Sequence, residues 1–229
     1  MNRRRFFNFH VVAVACIAAA CATDPKPIGS DHSYMPLMKG VYQIYDVDST
    51  WYTATGEYEL HYELMTEVVD SFPDAEAGYT YVIYRSKRDA PENDWQYMDT
   101  WSARTGELRA MVYEGSTPYV KFVLPVSEGR TWDGNAYNTL DDDEYEMVNA
   151  RKPFALEDIS FEDCIEVNQN DDNDLIVRTD IRREVYARNT GLILKEVRIL
   201  NYCTAGCVDF GEIESGVVYS QKLKSYGIN

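Results

Sequence analysis

The chain has 229 residues and carries 22 lysine and arginine residues against 38 aspartate and glutamate residues, a formal net charge of −16 at pH 7. This length fits one domain or two small ones, and a hydrophobic share of 45% with 13% aromatic residues argues against a disordered chain. The acidic balance argues against nucleic acid as a partner and against adsorption on anionic lipid, because lysine and arginine carry both interactions.

The first twenty residues have the layout of an export signal. Three consecutive arginines, Arg3 to Arg5, precede an apolar segment that runs without interruption from Val11 to Ala20. A helix needs roughly 20 apolar residues to cross a bilayer, so this segment is too short to be a membrane span. The pattern therefore predicts a secretory signal peptide over residues 1–20, which is removed from the mature protein.

The end of this segment, Ala18-Ala19-Ala20-Cys21, resembles a bacterial lipobox. The resemblance implies that Cys21 is lipidated on its sulfur and becomes the mature N-terminus, so that the membrane is a partner through a lipid anchor. Ala22 is not the aspartate associated with retention in the inner membrane, which implies an outer-membrane lipoprotein facing the periplasm or the cell surface. Cleavage by an ordinary signal peptidase, which would leave a soluble periplasmic protein, is the alternative.

The segment after Cys21 differs in composition from the rest of the chain. Asp24-Pro25-Lys26-Pro27 and Gly29 to Ser33 contain few apolar residues, and prolines block regular strand pairing. Residues 21–39 are therefore predicted to be a flexible tether. No linker-like segment follows, which predicts a single antiparallel β-domain over residues 40–229.

Alternation of apolar and polar residues is the main structural signal of this domain. Tyr58, Leu60, Tyr62 and Leu64 alternate with polar residues that include His61, which predicts a strand with one buried and one solvated face. Gly, Asn, Asp and Pro clusters separate the strand-like runs. A dozen strands joined by short turns predict an all-β antiparallel meander that forms an open or half barrel, with a β-sandwich as the alternative. Further runs of this kind are Tyr79–Arg85, Trp95–Trp101, Leu108–Tyr113, Tyr119–Leu124, Tyr145–Asn149, Phe161–Val167, Leu175–Asp180, Glu184–Arg188, Leu192–Leu200 and Val217–Leu223.

Catalytic motifs are absent from the sequence. His32 and His61 are the only histidines outside the signal peptide, neither belongs to a recognisable triad, and no G-x-S-x-G elbow occurs. Glu59, His61 and Glu63 would share one strand face and offer metal ligands, but a solvated strand face shows the same alternation. We therefore expect no catalytic residue, no metal site and no cofactor.

Two clusters of carboxylates, Asp141–Glu144 and Asp171–Asp174, offer oxygen ligands for calcium. Neither has the EF-hand spacing, with glycine at position six and glutamate at position twelve. Aspartate and asparagine also favour tight turns. We interpret both clusters as hairpin loops.

The mature chain has a pair of cysteines close together near its C-terminus. Cys203 and Cys207 are predicted to form a disulfide, because an exported protein meets an oxidising compartment and the intervening loop is short. Cys164 has no comparable neighbour. It is expected to be a free, inert side chain.

The segment Val185–Glu196 resembles the Tyr-Ala-x-Gly-Val-Gly-Leu-Val-x-Lys-Glu segment of uncharacterised bacterial envelope proteins and lipoproteins, with Asn189-Thr190 in place of Gly-Val. Thr131–Asn135 and Gln221–Tyr226 add to the likeness. The resemblance implies an antiparallel envelope β-domain with an open barrel like those of lipoprotein carriers, and it implies no activity. Gly191 is explained by a turn with positive φ and needs no ligand.

These observations favour a lipid-anchored cell-envelope protein of unknown specific role. The surplus of aromatic residues, including Trp51, Trp95, Trp101 and Trp132, leads us to expect a non-enzymatic binding module for an apolar or carbohydrate-like ligand, although such residues lie mostly in cores. A structural or assembly partner of an outer-membrane complex, acting by strand addition, is one alternative. A carboxylate-based hydrolase is another. The sequence identifies no ligand-binding residue.

Overall fold

The computed structural model describes residues 30–75, 78–206 and 211–229, and these residues form one antiparallel β-sheet of twelve strands. The predicted signal peptide and residues 21–29 of the predicted tether, which include Cys21, lie outside the described residues. The strands are β1 Val41–Thr53, β2 Gly56–Asp74, β3 Gly78–Arg88, β4 Gln96–Thr105, β5 Arg109–Glu114, β6 Thr117–Val123, β7 Thr131–Asp133, β8 Glu144–Leu156, β9 Ile159–Asp174, β10 Arg178–Ala187, β11 Gly191–Tyr202 and β12 Ile213–Ile228.

The order of the strands in the sheet is β6-β5-β4-β3-β2-β1-β12-β11-β10-β9-β8-β7. Two six-stranded meanders are therefore joined where β1 pairs with β12, and every pairing is antiparallel. This arrangement confirms the predicted all-β antiparallel meander and gives an open, nearly closed barrel rather than a sandwich. No helix within the described ranges is long and apolar enough to cross a membrane.

The seam of the barrel lies between β6 and the short strand β7. The backbone N–H of Val120 donates a hydrogen bond of 2.9 Å to the Gly134 carbonyl, and the indole Nε1 of Trp132 donates one of 2.9 Å back to the Val120 carbonyl. The Asn138 amide donates to the Pro118 carbonyl at 2.9 Å. These contacts satisfy part of the edge that β6 would otherwise expose, which an open sheet must avoid.

The segment Trp132-Asp133-Gly134 stabilises this seam. The Asp133 carboxylate accepts hydrogen bonds from the backbone N–H groups of Asn135 at 2.8 Å and Asp143 at 3.0 Å, which fixes the turn after β7. The ring of Tyr145 packs directly on Gly134, where a Cβ atom would lie only 2.3 Å from the ring. Close packing therefore requires glycine at position 134, and no ligand is needed to explain it.

The connections between consecutive strands alternate between the two ends of the barrel. The start of β1, the end of β12 and the connections β2–β3, β4–β5, β6–β7, β8–β9 and β10–β11 lie at what we call the proximal end. The remaining connections lie at the distal end. The two ends differ because residues 30–39, which precede β1, are all at the proximal end.

Residues 30–39 form a plug in the proximal end rather than a tether. A 3₁₀ helix spans Asp31–Tyr34, and the side chain of Tyr34 is fully buried in the barrel core. The backbone N–H of Asn189 donates to the Ser33 carbonyl at 2.7 Å, and His32 bonds to the Gly106 carbonyl at 3.0 Å. The folded domain thus begins near Asp31 and not at residue 40, because one buried tyrosine anchors a segment that is otherwise polar.

Arg188 holds the plug in place. Its guanidinium bonds to the Asp163 carboxylate at 2.6 Å, to the Ser33 hydroxyl at 2.8 Å and to the Tyr34 hydroxyl at 3.0 Å. The Tyr34 hydroxyl in turn donates to Asp163. Burial and this hydrogen bond raise the pKa of Tyr34 well above its ordinary value, so its hydroxyl remains protonated and can donate.

Two apolar clusters form the core of the described residues. One lies against the plug and the seam, and the other is built from residues of β1, β2 and the strands β8 to β12. The first comprises Tyr34, Met35, Ala103, Ala110, Phe122, Leu124, Val126, Tyr145, Met147, Ile165, Val167 and Tyr186, and the second Tyr45, Val47, Leu64, Leu156, Phe161, Cys164, Val185, Ala187, Ile193, Leu194 and Leu223.

The predicted burial of β2 is correct only for part of the strand. Leu64 is 1% exposed, whereas Leu60 is 55% exposed and Tyr58 is similarly accessible. The reason is that β3 ends at Arg88, opposite Glu63, so that β2 continues toward the distal end with β1 as its only neighbour. Glu63 is buried rather than solvated, and it pairs with Arg88 and Lys224.

This difference within one strand is testable. Leu64→Ala should lower the free energy of unfolding by about 2–5 kcal/mol, because it leaves a cavity in the core. Leu60→Ala, four residues away on the same face, should change it by no more than about 0.5 kcal/mol. Urea unfolding of both variants measures the difference, and equal losses would show that the distal part of β2 is buried after all.

Candidate functional site

The interior of the barrel contains a cluster of four charges and one hydroxyl. Lys121 on β6 lies with its Nζ 3.1 Å from Glu184 on β10 and 2.8 Å from Glu114 on β5. Lys195 on β11 also approaches Glu184, at 3.3 Å, and the hydroxyl of Tyr186 donates a 2.5 Å hydrogen bond to the second carboxylate oxygen of Glu184. We call these five residues the lumen cluster.

The lumen cluster remains ionised because its charges compensate one another. Burial alone raises the pKa of Glu184, but the ammonium groups of Lys121 and Lys195 and the Tyr186 hydroxyl outweigh it and lower the pKa to about 2. Burial likewise opposes the charge of Lys121, yet Glu114 and Glu184 raise its pKa above the ordinary value. Burial and the neighbouring Glu184 raise the pKa of Tyr186, which stays a donor. Two positive and two negative charges leave the cluster neutral.

A cavity of about 110 Å³ lies beside the lumen cluster and above the plug. Its apolar walls come from strands β1 to β5 and from the plug, and its polar lining includes members of the lumen cluster. The lining residues are Met35, Pro36, Leu37, Val41, Gln43, Tyr45, Leu64, Thr66, Glu67, Val68, Ile83, Arg85, Trp101, Ala103, Val112, Glu114, Lys121, Glu184, Tyr186, Gly191, Leu192, Lys195 and Gln221.

Arg85 on β3 is the unusual group in this lining. It is 9% exposed, and its terminal nitrogen Nη1 bonds to both oxygens of Asp99, at 2.9 and 3.2 Å. Its guanidinium carbon lies 3.8 Å from the ring centroid of Trp101. The Nε atom is buried and has no hydrogen-bond partner within the described part of the chain. Most buried donors in native proteins are paired, so this N–H marks a place where an acceptor fits.

The four tryptophans do not share one pocket. Trp101 lines the cavity, Trp132 lies at the seam, and Trp95 packs under the guanidinium of Arg88 at 4.3 Å. Trp51 is half exposed near the distal end of β1. The interpretation of the tryptophans as core residues is therefore wrong for Trp51, while the other three are partly buried.

The structure does not bring the considered metal ligands together. His61 is exposed and its Nδ1 bonds to the Asp48 carboxylate at 2.8 Å, while Glu63 is occupied by its cationic partners. Across the described ranges, no three His, Cys, Asp or Glu side chains are arranged to hold a metal ion.

The acidic clusters also have local roles. Asp143 forms two hydrogen bonds with Arg182, at 2.7 and 2.9 Å. Asp171–Asp174 belong to the end of β9, and the turn falls on residues 175–177 instead of on the aspartates. The turn thus lies a few residues after its predicted position. The apolar residues Leu175, Ile176 and Val177, which suggested a strand, form the turn itself.

The cysteine predictions have different outcomes. Cys164 is free, as predicted, and it is buried. Burial together with Asp163 raises the pKa of its thiol to about 11, which keeps it unreactive at neutral pH. The backbone of Cys203 bonds to the Glu212 carbonyl at 2.8 Å, at the base of the β11–β12 connection. Cys207 lies outside the described residues, so the pairing stays a prediction. Lipidation of Cys21 stays a prediction for the same reason.

The sequence interpretation missed Arg85 and the lumen cluster. A signal existed for Lys121, which interrupts the apolar run Tyr119–Leu124 and therefore places a charge where a buried side chain is expected. Its partner Glu184 is 63 residues away in sequence, so no local pattern links the two. The segment Val185–Glu196 contains Tyr186 and Lys195 of the lumen cluster and Arg188, which holds the plug, and these contacts give the segment a physical role.

No model of a known protein family matches the chain, and no curated protein matches it significantly. A solved structure of a Bacteroides fragilis protein, described as exported and as having a YmcC-like fold, is similar at 14% identity and a TM-score of 0.44, over 84% of this chain and 97% of that one. A Parabacteroides distasonis protein, described as a lipoprotein, is similar at 12% identity and a TM-score of 0.38, over 85% and 98%. At this identity neither similarity extends to a ligand, a partner or an activity.

The ionisation of Glu184 predicts a pH dependence of stability. Its pKa is about 2 in the folded protein against an ordinary 4.5, so its contribution is complete above pH 4.5 and is lost as the pH falls toward 2. At about 1.4 kcal/mol per pKa unit, the loss is on the order of 3 kcal/mol. Glu184→Gln should lack this part of the acid destabilisation. Urea unfolding of both proteins across that pH range measures it, and parallel pH profiles would contradict the ionised state.

Proposed function

We propose that the protein is a cell-envelope lipoprotein, anchored at Cys21 in the outer membrane, whose barrel binds a small apolar ligand without catalysing a reaction. The ligand carries a carbonyl or carboxylate oxygen that accepts the hydrogen bond of Arg85. The observation that carries this proposal is the buried, unpartnered Nε of Arg85 in the wall of an interior cavity.

The chemistry of the cavity supports such a ligand. A buried donor without a partner destabilises a protein by about 1–3 kcal/mol, and an acceptor on a ligand removes that penalty. Leu64, Ile83 and Val112 offer apolar walls close to Arg85, and the stacked ring of Trp101 limits how the guanidinium can move. The site thus combines one fixed donor with apolar surroundings, which is the usual composition of a ligand pocket.

The size of the cavity selects between the two ligand classes considered. A cavity of roughly 150 Å³ accommodates benzene. The cavity here, at about 110 Å³, is smaller than that, so it suits a short apolar molecule and is too small for an acyl chain or an oligosaccharide. The small apolar ligand is therefore favoured over the carbohydrate-like one.

The carboxylates of the protein support a non-enzymatic role. A glycosidase-type mechanism needs one carboxyl group that stays protonated near neutral pH. Burial alone raises the pKa of Glu63, Glu114, Asp163 and Glu184, but their cationic or hydroxyl partners outweigh it and lower all four. These groups are ionised and ion-paired, which disfavours the alternative of a carboxylate-based hydrolase.

The free edge of β8 disfavours strand addition as the main role. β7 pairs with the first residues of β8, and Gly129, Arg130 and the Glu128 carboxylate bond to the backbone of residues 147–150, so the open side of that strand begins after Ala150. Pro153 cannot donate to a ladder, and Asn149 and Arg151 have φ values of 52° and 57°, which bend the strand away from regular pairing. These features protect the edge of β8 against an added strand.

Titration of the mature protein with propionate and with neutral propionamide tests the proposal. Both probes place an oxygen acceptor on a short apolar chain. Arg85→Gln should weaken binding by about tenfold or more, the value of a hydrogen bond to a charged donor. Asp99→Asn keeps the arginine and should retain binding. Arg109→Gln, in which the lost guanidinium is stacked on Tyr137 outside the cavity, is the matched control.

The binding proposal fails if the wild-type protein binds neither probe at millimolar concentration, or if Arg85→Gln and Arg109→Gln bind equally well. Thermal melts of each variant establish that a loss of binding is not a loss of folding. Retained binding in Asp99→Asn separates the role of the Arg85 donor from that of its ion pair.

A further inference from the structure

Five large apolar side chains are exposed at the proximal end of the barrel, between 50% for Phe72 and 63% for Ile228. We call them the proximal rim. A single exposed apolar residue is ordinary on a protein surface, whereas several at one end of a barrel mark an interaction surface. The rim consists of Met38, Phe72, Tyr79, Leu108 and Ile228.

The proximal rim is continuous across neighbouring strands. Met38 precedes β1, and Ile228 at the end of β12 pairs with Val41. Phe72 and Tyr79 lie near the β2–β3 hairpin, and Leu108 is in the β4–β5 connection. The six strands from β12 to β5 are adjacent in the sheet, so at about 4.8 Å between strands the rim follows an arc of about 24 Å.

The route of the chain toward Cys21 starts at this same end. Ser30 is the first described residue and lies in the plug at the proximal end. Eight residues separate it from Cys21. A chain extends by at most about 3.3–3.6 Å per residue, so an anchor on Cys21 keeps the proximal end within about 30 Å of the lipid.

We propose that the proximal rim docks into the interface of the bilayer that holds the lipid anchor. This inference rests on the lipid anchor of the proposed function and adds a second, non-covalent contact. It fixes the orientation of the barrel, with the proximal end on the membrane and the distal end directed away from it. Apolar side chains inserted to the depth of the headgroups are the usual form of such a contact.

The charges around the two ends favour the proximal end for this role. Lys39 follows Met38, Leu108 lies between Glu107 and Arg109, and Asp74 and Glu76 lie between Phe72 and Tyr79 in the sequence, so the rim has mixed charges. The exposed apolar residues of the distal end are accompanied by carboxylates, Glu57 and Glu59 beside Tyr58 and Asp171–Asp174 before Leu175. Because the whole chain is acidic, the contact suits zwitterionic lipid rather than anionic lipid.

Fluorescent labels at the two ends test the orientation. The lipidated protein is reconstituted in vesicles of phosphatidylethanolamine and phosphatidylcholine in equal parts, with a polarity-sensitive NBD group on Phe72→Cys or Leu108→Cys. Leu60→Cys and Ile176→Cys at the distal end are the matched controls, since both positions are equally exposed. Cys164 is buried and does not compete for the label. Quenching by nitroxide-labelled lipid should be several times stronger at Phe72→Cys and Leu108→Cys than at the distal positions.

Three outcomes would overturn the docking of the rim. Each of them can be distinguished from a failure of lipidation at Cys21. Equal, weak quenching at all four positions in protein that floats with the vesicles leaves the anchor intact and refutes the docking. Stronger quenching at the distal labels reverses the orientation. Self-quenching of the proximal labels without vesicles identifies a second copy of the chain as the partner of the rim. Protein whose mass shows no lipid on Cys21 and which does not float contradicts the proposed function itself.

Discussion

The contact between Lys121 and Glu184 across the lumen of the barrel is the constraint on which the other features depend. Lys121 lies on β6 at one edge of the sheet, and Glu184 lies on β10 in the opposite meander, so the pair joins two parts of the sheet that are distant in strand order. The rings of Phe122 and Tyr186, on the same two strands, meet edge to face with centroids 5.1 Å apart. Together these contacts hold β6 at a set distance from β10, which leaves the edge of β6 positioned for the seam with β7.

The neutrality of the lumen cluster leaves Arg85 as the residue of the described cavity lining that has an unsatisfied buried donor. A buried charge without a partner is strongly destabilising, so the two lysines and the two glutamates must satisfy one another. Arg85 differs because Asp99 accepts from Nη1 and leaves the buried Nε without a partner in the described structure. The plug closes the space from the proximal side, and Arg188 holds it there through Tyr34. The buried charges that hold the barrel and the plug together thus also surround the candidate site.

The sequence predicted the features that depend on neighbouring residues. Alternation and turn residues were sufficient for an all-β meander, and the lack of a neighbouring cysteine was sufficient to predict a free thiol at Cys164. Features that depend on where another strand ends were not predictable: Leu60 and Leu64 show the same local pattern, and only the end of β3 at Arg88 separates them. The plug was missed because a single tyrosine anchors a polar segment. The lumen cluster was missed because its members meet only after the barrel has closed.

A double-mutant cycle on Lys121 and Glu184 tests the central claim, that a compensated ion cluster spans the lumen. Lys121→Met and Glu184→Leu should each lower the free energy of unfolding by about 3–5 kcal/mol, because each leaves a buried charge with too few partners. The double variant should be more stable than the sum of the two effects predicts, by roughly 1–3 kcal/mol, since neither charge remains. Urea unfolding at neutral pH measures all four proteins. Effects that add within about 0.5 kcal/mol would show that the two residues do not interact across the barrel.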